Sequence, residues 1–377
     1  MSERHLHIVS FAIPFPANYG GVIDVFHKLR ALHAAGIKIH LHCFSYERES
    51  AAELQKYCES VNYYPRLTGI SSAITLKPYI VASRRSEELL ARLVKDNYPI
   101  LFEGLHSCYY LDHKALQGRT LIYRESNIEH EYYYHLAIAE KNLFSSTYFL
   151  LASLKLRIFQ RVLRYATQML VVSEEDCNYL RRQFPDSLVT YLPSFHANET
   201  VKSLTGHGEY ALYHGNLSVP ENIKAVEFLV MNVFDTGRYP LIIAGLNPSG
   251  RLKNLVKDKK HIRIVANPGP EQMDELVQNA HVNILISFQS TGLKLKLLNT
   301  LYNGRFALVN PAMLNGTGLN GLCTIAENAA ELKTSLNELF ERNFEQAEIE
   351  KRKIILEKRY SNRVNAGLLI QSVFKNR

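Results

Sequence analysis

The sequence predicts two doubly wound α/β domains in succession, parallel sheets covered by helices and facing each other across a cleft. Short apolar, β-branched runs alternate with amphipathic stretches along the chain. The rhythm lapses once, between Pro193 and Glu209, and then restarts. At 377 residues, 46% of them hydrophobic, the chain suffices for two cores of ordinary size.

His7 to Phe11 reads as the first strand, the spaced apolar positions of Gly21 to Ala35 as a helix, and Lys38 to Cys43 as the next strand. A helix over Glu87 to Lys95 leads to strands at Ile100 to Glu103, Thr120 to Tyr123 and Met169 to Val172. After Tyr191-Leu192-Pro193-Ser194 the polar linker intervenes. Strands then recur at Tyr210 to His214, Pro240 to Ala244, Ile262 to Val265, Val282 to Ile286 and Phe306 to Asn310. Helices fall between them at Glu221 to Val230, Leu252 to Lys257, Glu271 to Gln278 and Lys296 to Tyr302, and more follow beyond Asn328. The expected domains are 1–195 and 196–358, with 359–377 a closing segment that is helical over Tyr360 to Phe374.

Composition excludes several classes. Ten per cent aromatic residues and only 13 prolines are not those of a disordered chain. Five cysteines, Cys43, Cys58, Cys108, Cys177 and Cys323, are scattered, odd in number and without a Cys/His quartet of metal spacing, so reduced thiols in a cytoplasmic protein are expected and no metal site is. The N-terminus lacks a secretory pattern. The longest apolar stretch, Asn142 to Leu156, is interrupted by Ser145, Ser146, Thr147 and Lys155 and is too short to span a bilayer. Its Arg-flanked extension, Leu143 to Leu163, reads as a core helix in preference to one lying peripherally on the inner face of a membrane. Mean hydropathy is −0.14. The net charge of +8 lies mainly in residues 201–377, which hold 22 basic and 16 acidic side chains. No aromatic-interleaved basic run accompanies it, so nucleic acid is not an expected partner.

In sheets of this kind ligands bind beyond the carboxyl ends of the strands, so the loops there are the functional candidates. The first, Pro14 to Gly21, ends in Gly20 and Gly21 at a helix start, which suits either a simple turn or close backbone approach to an anion. It is not the G-x-G-x-x-G of dinucleotide binding. Glu103-Gly104-Leu105-His106-Ser107 and Glu125-Ser126-Asn127-Ile128-Glu129-His130-Glu131 follow the next strands, with His106 and His130 favoured as proton acceptors or hydrogen-bond donors. In the second half come His214-Gly215-Asn216-Leu217-Ser218 and Ala244-Gly245-Leu246-Asn247. Last is Ser287 to Leu298, in which Gly292 opens a helix beside Lys294 and Lys296. That combination suits a diphosphate, although the two lysines also flank a leucine stripe and could be its solvated edge.

Together these segments resemble the GT-B glycosyltransferases, most closely the retaining glycosyltransferase family four. The resemblance rests on Pro16 to Gly21 before a helix ending at Gly36, on Tyr213 to Leu217, and on Leu241 to Gly245. It continues through Met273 to Ala280, Gly292 to Leu298 up to Gly304, and Ala307-Leu308-Val309. It implies two Rossmann-like domains closing over a nucleotide-sugar co-substrate, no further cofactor, no bound metal, and a glycan or lipid-linked acceptor. It assigns Gly20, Gly21, Gly215, Asn216, Lys224, Gly245, Thr291, Gly292, Leu293, Lys294, Lys296 and Asn299 to the donor. His106, Asn127 and His130 are assigned to the transferring sugar or acceptor, and the closing helix is expected to return toward the first domain. Two glutamates usual in the family stand here as Thr291 and Asn299, and the Arg and Lys usual after the Gly215 strand are Asn216 and Glu221 or Asn222, leaving Lys224 nearby. The alternatives are a degenerate relative serving as a scaffold, favoured by those replacements, or a nucleotide-sugar epimerase.

Overall fold

The computed structural model describes residues 3–69, 72, 75–140, 142–288 and 294–374, except the side chain at 139. The chain divides into two compact units, Met1–Ala197 with Arg359–Arg377, and Asn198–Ser290 with Lys294–Lys358. Among the described residues no helix is long and apolar enough to cross a membrane.

The first unit is a seven-stranded parallel sheet of order β3-β2-β1-β4-β5-β6-β7. Its strands are β1 (Arg4–Ser10), β2 (Ile37–Ser45), β3 (Ser60–Pro65), β4 (Ile100–Glu103), β5 (Leu121–Arg124), β6 (Gln168–Val171) and β7 (Leu188–Tyr191). Side chains alternate between two cores: Ile8, Leu101, Ile122 and Leu170 enter one, Val9, Phe102, Tyr123 and Val171 the other. Burial on both faces explains why these strands read as near-continuous apolar runs. Helix α1 (Gly20–Ala34) covers the first face beside the closing helix (Asn362–Phe374), whose Ala366, Leu369 and Val373 join that core. At the start of the other face, the apolar pattern is replaced by histidines: His5 and His40 lie 3.0 Å apart, His7 and His42 2.9 Å apart, and His42 is 2.8 Å from Tyr64 Oη.

Under the carboxyl ends of the central strands lies a buried charge network. Lys28 Nζ donates to Asp24 at 2.8 Å and to Glu103 at 2.6 Å. Arg124 pairs with Asp24 at 3.2 Å and donates to the carbonyls of Leu192 and Pro193, while Phe195 N–H donates to Asp24 at 2.7 Å. Burial opposes ionisation of Asp24, but Arg124 and Lys28 outweigh it and hold the carboxyl well below its usual range. The network ties α1 to β4, β5 and the exit from β7.

The second unit is a six-stranded parallel sheet of order β10-β9-β8-β11-β12-β13. Its strands are β8 (Ala211–His214), β9 (Leu241–Gly245), β10 (Ile262–Ala266), β11 (Val282–Leu285), β12 (Phe306–Val309) and β13 (Thr324–Ile325). Tyr213, Ile243, Ile284 and Leu308 pack on one side and Leu212, Ile242 and Ala244 on the other. Strands β3, β7 and β13, unread in the sequence, are all at sheet edges. Being partly exposed, they carry the weakest apolar signal.

Candidate functional site

In each unit the strand order reverses beside the first strand: β1 lies between β2 and β4, and β8 between β9 and β11. Loops leaving such neighbours diverge to opposite faces and open a crevice.

In the first unit, α1 begins at Gly20 with no side-chain cap and no acidic residue in its first turn, which leaves its leading N–H groups open to an anion. Gly21 is fixed by packing: a β-carbon there would stand 2.7 Å from the Phe11 ring. Gly104 has φ +69°, and a β-carbon would meet His106 Nδ1 at 3.3 Å, so glycine serves both the backbone and the space. The His106 side chain is 21% exposed and its Nδ1 has no hydrogen-bond partner among the described residues, with Glu129 Oε1 at 3.6 Å. Burial, reinforced by Arg84 and Arg66, pushes His106 well below its usual range. Burial also lifts Glu129 to about 8, against the pull of Arg84. Both groups are therefore neutral at pH 7, suited to exchanging hydrogen bonds with hydroxyls. Arg84 donates from Nε to Phe11 O at 2.7 Å and from Nη1 to Ile80 O.

Asn127 makes no hydrogen bond to a described residue. His130 turns elsewhere, its Nδ1 3.1 Å from Gln160 Oε1 and its ring near Tyr179. The structure thus groups His106 with Glu129 and Arg84, neither of which the sequence reading selected. Glu129 stood in a loop already noted for its polar density, whereas Arg84 had no local signal.

In the second unit, the loop after β8 runs from Gly215 into a helix at Pro220–Asn232. A β-carbon at Gly245 would lie 1.7 Å from Gly215 O, so Gly245 sets the close approach of the two strand ends. Asn216 Oδ1 accepts from Ser218 N–H at 3.0 Å and Asn216 O accepts from Asn222 Nδ2 at 2.9 Å, shaping the turn. Asn222 Oδ1 accepts from Tyr213 Oη at 3.0 Å and from Lys296 Nζ at 3.4 Å. Lys296 also lies over the Tyr213 ring, 5.6 Å from its centroid. Burial pushes its amine down to about 8, opposed by Glu221 and aided by Lys294. His214, buried beside it and 3.3 Å from Thr300 Oγ1, is lowered to about 3 and stays neutral.

Lys296 belongs to the helix Leu295–Asn303, which has no acidic residue in its first turn and follows Lys294 at its N-cap. Gly215, Asn216, Gly245 and Lys296 therefore converge. Lys224 is exposed, with its amine 4.3 Å from the Phe288 ring centroid. Asn299 faces Asn303, which donates to it at 2.8 Å and to Asn198 at 2.8 Å. Thr291, Gly292 and Leu293 lie outside the described residues. Glu221, which accepts from Ser287 Oγ at 2.5 Å and from Phe288 N–H at 3.0 Å, is a further member. Among the described residues no group of three or more His, Cys, Asp or Glu side chains could hold a metal ion.

Solved structures of similar fold span the whole chain. Sucrose-phosphate synthase from Thermosynechococcus elongatus matches with TM-score 0.71 and 14% identity over 100% of both chains, and TarM with 0.69 and 10% over 99% of each. The fold is GT-B. Anabaena HepE, solved in complex with UDP and glucose, matches with TM-score 0.64 and 9% identity over 98% of this chain and 99% of that one. A Klebsiella pneumoniae relative, an uncharacterized 44.6 kDa protein in a cps region, is 25% identical over 332 residues, 83% of this chain and 84% of its own. No protein-family profile matches.

Proposed function

We propose that this chain is a glycosyltransferase that moves a sugar, with retention at the anomeric carbon, from a nucleoside diphosphate donor to a hydroxyl of a glycan or lipid-linked acceptor. The observation that carries the reading is Lys296, a nearly buried amine held at the switch point of the second unit beside the Gly215 loop. Its support is the GT-B fold shared with proteins such as HepE, whose structure holds UDP and glucose.

The donor diphosphate lies against the Gly215–Asn216 backbone and Lys296, which takes up the charge that develops as the anomeric carbon–phosphate bond breaks. No bound metal is required for that stabilisation. As the acceptor oxygen bonds to the same carbon, its proton passes to the departing phosphate oxygen. Glu129, protonated, is not the base, and burial makes His106 a weak one, so both position hydroxyls. Arg84 fixes the wall on which they stand.

A thermal-shift screen against UDP, GDP, ADP, CMP and TDP tests the reading, since a ligand bound only by the folded state raises its melting temperature. One nucleotide is expected to raise it in the native chain, and Lys296→Ala to weaken that binding by about tenfold or more. The second reading, a scaffold without donor chemistry, is favoured by the engagement of Asn299 with Asn303. It takes over if none of the nucleotides shifts the folded protein.

A further inference from the structure

The helix Leu143–Phe159 in the first unit has its polarity inverted. Against its partner helix Glu129–Ala139 it turns serines: Ser146 Oγ donates to Ala137 O at 2.8 Å and Ser153 Oγ to His130 O at 2.7 Å. Toward solvent it turns Phe144, Tyr148, Leu151, Leu154 and Ile158, spaced by four, three, three and four positions and so aligned in one stripe. Phe144 is 90% exposed and Ile158 67%, and Leu143 at the tip 82%. Single exposed leucines are ordinary, but a helix in water does not present its most apolar row to solvent over four turns.

Charge says what covers it. Residues 142–173 contain no Asp or Glu, while Arg157, Arg161 and Arg164 follow along the same helix and the turn after it. All three are exposed and none is in an ion pair with a described residue. An exposed apolar stripe that carries Thr147 and Lys155 as its polar members, and is followed by three exposed guanidinium groups, complements an anionic lipid surface better than a protein face of mixed charge.

We propose that this helix docks in the interface of an anionic bilayer, with Phe144, Leu151 and Ile158 entering the acyl boundary and Arg157, Arg161 and Arg164 meeting headgroup phosphates. The partner helix starts at Glu129 and runs 11 residues, roughly 16 Å at about 1.5 Å each, so docking brings the His106–Glu129 group within a helix length of the bilayer. Docking stands independently of the transferase reading, and explains how a lipid-carried acceptor would reach that group.

Flotation of the full chain with vesicles of phosphatidylcholine alone, or mixed with phosphatidylglycerol, tests this. The native chain is expected to float with the mixed vesicles by more than about tenfold over the neutral ones, and less as salt rises. The variant Phe144→Asp/Leu151→Asp/Ile158→Asp should lose flotation with an unchanged or higher melting temperature, because these side chains are exposed. Arg157→Glu/Arg161→Glu should lose the preference for the mixed vesicles. A native chain left unbound by the mixed vesicles overturns the proposal, as does unchanged flotation of the folded triple variant. A lipid-free dimer that the triple variant abolishes, seen by light scattering, overturns it in favour of a second copy.

Discussion

Lys296 is pushed down to about 8 because its amine is buried against Tyr213 and Asn222, which makes the charge it offers a donor dependent on pH. Affinity for the nucleoside diphosphate should hold at pH 7 and fall by about tenfold per unit once pH passes the value of about 8, relaxed upward by the bound anion. Titration calorimetry across pH 7 to 10 measures it, and Lys296→Arg, always charged, should flatten the profile. Glu129→Gln separates two roles in one assay. Neutral at pH 7, Glu129 should tolerate the amide with kcat within about threefold, whereas loss of a general base would lower it by about a hundredfold or more. Gly245→Ala should destabilise the protein by about 1–3 kcal/mol in urea titrations, since the new methyl meets a backbone oxygen that no rotamer can move.

Helix α1 shows what binds an element in place when its inner face is charged. Lys28→Met leaves Glu103 and Asp24 buried with less compensation, and the urea midpoint should fall by the equivalent of about 3–5 kcal/mol. Adding Glu103→Leu should restore part of it. How far elements were legible follows from the same physics. Central strands such as Ile100–Glu103 and Val282–Leu285 are buried on both faces and announced themselves as apolar runs, and α1 by its spacing. The edge strand Ser60–Pro65 is mostly half-buried and gave little. The candidate site was legible where loops follow central strands, as at His106 and Gly215. Arg84 was not, because it reaches Phe11 across 73 positions, a distance no local pattern encodes. Helix Leu143–Phe159 read as core because apolarity alone does not say which face is turned inward.

Across the whole molecule, histidines couple stability to acid. His7 is pushed down to about 4 by burial, against Asp96 and with His40 and Arg119 adding to the depression, and His40 and His42 are also lowered by burial. A folded value below the unfolded one means the contribution of His7 is full above pH 6.5 and is lost as pH falls toward 4, by about 1.4 kcal/mol per unit, with His40 and His42 acting in the same direction. Urea midpoints between pH 7.5 and 4.5 should be flat and then decline, and a level profile throughout would remove the histidines from the account. The course of the chain adds something that equilibrium measurements miss. It leaves the first unit after Ala197 and re-enters at Arg359, where Asn362 Nδ2 donates to His196 O and Asn362 Oδ1 accepts from His196 N–H. Only then do Ala366, Leu369 and Val373 fill the core begun by Leu6 and Ile8. During synthesis, therefore, the unit that is started first is the one completed last, and a ribosome paused after residue 358 presents a second unit with its whole sequence made and a first still lacking one of its walls.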